Sequence, residues 1–140
     1  MPLINNLPEK HVVTCFLECD AEILILCRSE KVVSFQGRWA GVSGYVETTA
    51  DEQALIEIEE ETSLCREDLR LVKKGEPLEV EDDEAGVKWV VHPYLFQIKE
   101  RDKVKIDWEH QETRWINPRD IDNYKTVPML KEALAQVYLV

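Results

Sequence analysis

The run Ile23-Leu24-Ile25-Leu26 constrains the fold more than any other segment. Four consecutive apolar residues leave no position for solvent, so a strand here must be covered on both faces, as in a sheet with helices packed on each side. Residues 11–18 and 22–28 are both rich in Val, Ile, Leu, Thr and Phe, and Cys19-Asp20-Ala21 between them suits a tight antiparallel connection. An opening hairpin with one doubly covered strand favours a mixed α/β architecture.

The chain has 140 residues, about one domain, taken as residues 1–140. Its 44% hydrophobic residues against 32% charged allow a sizeable core and exclude wholesale disorder. Twenty-eight acidic residues against 17 basic give a net charge of −11. That field disfavours a polynucleotide partner, whereas a small phosphorylated ligand remains compatible if a cation held by carboxylates reverses the local sign. No apolar run approaches a membrane span and residues 1–10 lack the apolar core of a signal peptide, so the expected location is cytoplasmic, with no membrane partner. Cys15, Cys19, Cys27 and Cys65 form no CxxC pair and are read as reduced, mostly buried thiols. His11, His92 and His110 make no metal-ligand pattern with them and are read as structural or surface residues.

Residues 34–46 contain Gly37, Gly41 and Gly44 together with Arg38 and Trp39, and read as loop and short strand with unusual backbone geometry. Thr49-Ala50-Asp51-Glu52 fits a capping box, Thr49 as N-cap and Glu52 reaching back, for a helix running to about Thr62. Residues 69–80 and 87–98 read as two longer strands joined by the charged residues 81–86, with Pro93 placing a bulge or an edge in the second. A short strand over 114–116, a helical turn from Asn117-Pro118 and a last helix opened by Val127-Pro128 follow. Leu130, Ala133, Leu134 and Val137 give that helix one apolar face.

Between Trp39 and Cys65 every charged residue is acidic: Glu47, Asp51, Glu52, Glu57, Glu59, Glu60 and Glu61. At roughly 100° per residue, Glu57, Glu60 and Glu61 share one wedge of the helix, while Leu55, Ile58 and Thr62 form the stripe expected against a sheet. Clustered like charges destabilise a helix by a few tenths of a kcal/mol per pair, and a divalent cation relieves them. Three carboxylates suit magnesium, which prefers oxygen ligands and shares them with phosphates; a solvated acidic face gives the same pattern.

Gly44-Tyr45-Val46-Glu47 followed by Glu57-Ile58-Glu59-Glu60-Glu61-Thr62-Ser63-Leu64 resembles the Nudix box of MutT-like hydrolases. The opening hairpin, the Trp39 segment and residues 109–115 extend the resemblance over most of the chain. Ile56 stands where the box has arginine, Ser63 where it has glycine, and the stretch from Gly44 to Glu57 is two residues short, so the first box glutamate has no counterpart. The resemblance implies an α/β/α sandwich around a mixed, largely antiparallel sheet. It also implies Mg2+-dependent hydrolysis, or Mn2+-dependent, of a nucleoside diphosphate linked to another group, by water attack at phosphorus. Glu57 and Glu61 would then be catalytic metal ligands, Glu60 a further ligand and Gly44 a ligand through its carbonyl. Glu109 would be the general base, with Glu112 and Glu47 as competitors. Trp39 suits base stacking or an apolar plug, and Arg28 and Arg38 suit phosphate contacts or surface ion pairs. Ile56 and the shortened box keep open a degenerate module that binds a nucleotide or a protein partner without turnover. A homodimer is compatible with the sequence, although no segment marks an interface.

Overall fold

The computed structural model describes residues 7–138. Residues 1–6, on which part of the leader-peptide reading rests, and the last two residues of the domain span lie outside the described residues. The elements in order are β1 (Glu9–Cys19), β2 (Glu22–Arg28), β3 (Trp39–Ala40), β4 (Val42–Tyr45), α1 (Ala50–Thr62), β5 (Arg70–Lys74), β6 (Leu78–Asp82), β7 (Val87–Gln97), β8 (His110–Ile116) and α2 (Leu130–Val137). No helix among the described residues is long and apolar enough to cross a membrane.

Asp20 and Ala21 both take positive φ, 52° and 66°, the backbone that a two-residue hairpin turn needs. The hairpin splays after two residue pairs, Glu18 with Ile23 and Cys19 with Glu22. From there β1 pairs with β4 on the freed edge and in parallel with β7 over ten residues, while β2 continues antiparallel to β8 and β3. The sheet is therefore mixed and largely antiparallel, in the order β3-β2-β1-β7-β5, with β4, β6 and β8 added to β1, β7 and β2.

Both faces of the sheet are covered, as the run at residues 23–26 requires. Leu24 and Leu26 join Val13, Cys15, Leu17, Ala54, Ile58 and Tyr94 under α1. Ile23 and Ile25 join Phe16, Leu95, Leu130, Ala133 and Leu134 under α2. Each fully buried aliphatic or aromatic side chain in these cores stabilises the fold by about 1.5–3 kcal/mol. Cys15, Cys19 and Cys27 are buried free thiols, and Cys65 is half-buried and free.

Two expectations need correction. Residues 69–80 form two strands, β5 and β6, which pair with different parts of β7. Pro93 lies inside β7, which has neighbours on both sides; it falls where the register of β6 ends at Val91 and that of β5 begins at Tyr94, and its carbonyl accepts from Gly75 N–H at 2.9 Å. A missing N–H is tolerated at such a gap, and the register shift lies in β5, between Leu71 and Lys73. The unusual backbone expected in residues 34–46 is found at Phe35 (φ 54°) and Gly37 (φ 76°).

Candidate active site

Helix α1 begins at Thr49, whose side chain accepts from Glu52 N–H at 3.2 Å. Only this half of the expected capping box forms, because the Glu52 carboxylate turns outward to Arg66 at 3.4 Å. The helix ends at Ser63, at φ 67°, with its N–H donating to Glu59 O at 2.9 Å. A serine at this left-handed position costs about 1 kcal/mol relative to glycine.

The buried face of α1 is Gln53, Ala54, Ile58, Glu61 and Thr62, with Leu55 half-buried. Compared with the expected stripe of Leu55, Ile58 and Thr62, it is turned towards the carboxylates by roughly 60°. The three glutamates consequently differ: Glu61 is 2% exposed, Glu57 half-buried and Glu60 exposed. Glu57 lies directly against Gly44, where a Cβ would collide with its carboxylate, so glycine here serves the close approach of the helix to β4. The Glu57 Oε2 accepts from Gln53 Nε2 at 2.8 Å, and Gln53 Oε1 accepts from Glu47 N–H at 3.0 Å.

The Glu61 Oε2 is buried without a hydrogen-bond partner. Burial, the charge of Glu109 and the adjacent Glu57 push the Glu61 carboxyl well above the usual carboxylate range. Burial raises Glu57 as well, against the hydrogen bond from Gln53, and the charges of Glu60 and Glu47 add to the rise. Glu109 occupies the turn before β8 and is likewise raised by burial and Asp107, with Arg28 opposing. Beneath them, the buried His110 lies with Nε2 3.7 Å from Glu61 Oε1 and Nδ1 3.0 Å from Asp107 Oδ1. Burial lowers its imidazole, with Asp107 opposing, so the neutral form prevails at neutral pH.

A bulge builds this corner. In the pairing of β8 with β2, Glu112 faces Cys27 but His110 faces Arg28, leaving Gln111 as an extra residue. The extra residue reverses the alternation of faces, turning His110 towards Glu61. Glu112 lies after the bulge, exposed and paired with Arg114 at 3.2 Å. Arg114 covers the rings of Trp39 and Tyr124 on the α2 side of the sheet.

Gly44, Glu57, Glu61 and Glu109 thus come together, with Arg28 beside Glu109 and Glu47 beside Glu57. Arg28 also donates from Nε to Ser34 O at 3.0 Å. Arg38 is turned elsewhere, donating to Thr126 O at 3.3 Å and covering Phe35. Trp39 is 9% exposed and packs in the second core with Tyr124 edge-on. The apolar-plug reading describes that position, and the open tryptophan near the carboxylates is Trp108, 61% exposed. Gln53, Asp107 and His110 were not signalled as site residues by the sequence. Gln53 could have been found one turn before Glu57, and His110, read as a structural or surface residue, is buried with Nε2 3.7 Å from Glu61 Oε1.

Among the described residues no three His, Cys, Asp or Glu side chains already enclose a common point as a metal cage. The donor set nonetheless suits a hard divalent cation. Its atoms are carboxylate oxygens, one of them buried and unpaired, and Mg2+ or Mn2+ takes oxygen ligands while keeping waters.

A family model described as the NUDIX domain matches residues 8–137. Among solved structures, a MutT protein from Methanosarcina mazei superposes with TM-score 0.73 at 22% identity, covering 94% of each chain. An Ap4A hydrolase from C. elegans superposes with TM-score 0.70 at 20% identity, covering 92% of this chain and 93% of its own. The NUDIX domain of Shewanella oneidensis NrtR, solved with ADP ribose, gives TM-score 0.70 at 14% identity, covering 91% and 85%. No curated protein matches the chain. With the match over residues 8–137 and the α/β/α sandwich that those structures share with it, the chain belongs to the Nudix family of pyrophosphohydrolases.

Proposed function

We propose that this chain is a divalent-cation-dependent hydrolase of a nucleoside diphosphate linked to a second group, cleaving the diphosphate by water attack at phosphorus. The observation that carries the reading is Glu61: a buried carboxylate with an unpaired oxygen, set beside Glu57 and Glu109, is costly in a resting core and useful only where a cation completes it. Glu57 and Glu61 would hold the ion, with Glu60 and the Gly44 carbonyl as further donors. Mg2+ or Mn2+ bound there supplies charge neutralisation at the diphosphate and acidifies water.

The chain's own groups do the rest. Gly44 lets Glu57 rest on the end of β4, so that ligand is fixed by backbone rather than by a mobile loop. Glu109, with its carboxyl raised by its surroundings, would take a proton from the attacking water as general base. Asp107 fixes the tautomer of the neutral His110 by accepting from its Nδ1–H, which leaves an unprotonated Nε2 facing Glu61 at 3.7 Å. Arg28 faces the same corner and can contact phosphate oxygens through its forked donors. Trp108 offers an exposed ring to a nucleobase.

The Ap4A hydrolase and the ADP-ribose complex among the fold neighbours support testing dinucleoside polyphosphates and ADP-ribose first, beside nucleoside triphosphates and nucleotide sugars. Phosphate, pyrophosphate and nucleoside monophosphate release is measured for each with magnesium, for the wild type, Glu61→Gln and Glu109→Gln. Turnover that requires the cation and is lost in Glu61→Gln is expected; Glu109→Gln should lower kcat by about a hundredfold or more while sparing metal affinity. A neutral Glu109→Gln moves the base to Glu47, which lies beside Glu57, before Glu112, which faces the other side of the sheet. Ligand-induced thermal shifts without turnover of any substrate would favour the degenerate binding module instead, the reading that Ile56 and the shortened box support.

A further inference from the structure

Glu57 is held by a side chain that the Nudix box pattern does not specify. We infer, building on the hydrolase reading, that Gln53 is the positioning residue that holds Glu57 in its ligating orientation, in a box where Ile56 stands in place of the arginine.

Gln53 is 2% exposed, and both ends of its amide are used. Its Oε1 accepts from the backbone N–H of Glu47 at 3.0 Å, and its Nε2 donates to Glu57 Oε2 at 2.8 Å. The two contacts fix the amide orientation, because only the NH2 end can face a carboxylate and only the carbonyl end can face an N–H. One side chain therefore ties the segment that follows β4 to the helix that carries Glu57, the two halves of the shortened box. The i, i+4 spacing places Gln53 one turn before Glu57 on the same side of α1.

Ile56 cannot do this work. It has no donor and is 40% exposed. A buried glutamine is also an unusual choice for a purely structural site, since an apolar side chain of the same length would pack there without an amide to satisfy. The amide differs from an arginine in a way that matters to a cation: it aligns the carboxylate but leaves the negative charge uncancelled. Groups that orient a metal ligand in this manner commonly change metal affinity or activity by about 10–100-fold when removed.

Gln53→Met keeps length and apolar packing while deleting both hydrogen bonds. Mn2+ binding to the full chain, followed by electron paramagnetic resonance, is expected to weaken by about tenfold in Gln53→Met, with kcat reduced more than KM is raised. The contact itself is read without metal or substrate from the Gln53 side-chain amide resonances, which should shift in Glu57→Gln while the circular dichroism spectrum is unchanged; this arm does not depend on Gln53→Met folding. Amide resonances indifferent to Glu57→Gln, or Gln53→Met binding Mn2+ as tightly as wild type, would overturn the role of Gln53. A wild type that shows the amide shift but binds no Mn2+ would overturn the hydrolase reading first, and the positioning role with it.

Discussion

The two helical layers bury unlike surfaces against the same sheet. Helix α2 covers its side with Leu130, Ala133, Leu134 and Val137, all apolar. Helix α1 covers the other with Ala54 and Ile58 but also with Gln53, Glu61 and Thr62. Thr62 is satisfied locally, its hydroxyl donating to Ile58 O at 2.6 Å, and Gln53 is satisfied at both ends. Glu61 is not. One layer is thus assembled for packing alone, while the other gives up stability at a single carboxylate, the one proposed to hold a cation. Such local violations of packing rules are expected at functional sites.

Substitutions separate the layers. Glu61→Gln has the largest expected effect on function: losing a ligand should cost turnover more than the roughly 10–100-fold typical of a supporting residue, as read from kcat with magnesium. Leu134→Ala, in the packing layer, should cost about 2–5 kcal/mol in urea denaturation and leave kcat per folded molecule unchanged. If Leu134→Ala instead lowers kcat, the layers are coupled and the contrast fails.

Smaller effects sharpen the comparison at the ends of α1. Ser63→Gly should stabilise the chain by about 1 kcal/mol or less, because the left-handed backbone at Ser63 remains while its penalty is removed. The smallest effect concerns acid stability just beyond that end. Asp68 is held by Lys103 at 2.9 Å and by the Cys65 N–H at 2.9 Å, which lowers its carboxyl to about 2. Unfolded Asp titrates near 4, so the unfolded state binds more protons between these values. The contribution of Asp68 is therefore complete above about pH 4 and lost as pH falls towards 2, and Asp68→Asn should flatten the urea midpoint across that window.

Much of this contrast was legible in the residues. Ile23 to Leu26 demanded two covered faces, Thr49 and Ser63 bound the acidic helix, and the spacing of Leu130, Ala133, Leu134 and Val137 is the buried face of α2. The break at Gly75 was not legible, since β5 and β6 have strand-like composition and separate only because each pairs with a different stretch of β7. Nor was the depth of Glu61. A helical projection gives the angle between Glu57 and Glu61 but not which angle faces the sheet, and the apolar residues alone placed that face too far from the carboxylates. His110 was hidden for a different reason: its orientation depends on the bulge at Gln111, which strand alternation cannot predict.

The most direct measurement is thermal denaturation of wild type and Glu61→Gln, each with and without magnesium. Without the ion, Glu61→Gln should melt higher, because the amide carries no charge into the buried position. Magnesium should raise the melting temperature of the wild type and leave that of Glu61→Gln nearly unchanged. Equal melting temperatures without magnesium, or equal responses to it, would contradict the claim that the α1 layer gives up stability at Glu61 to hold a cation.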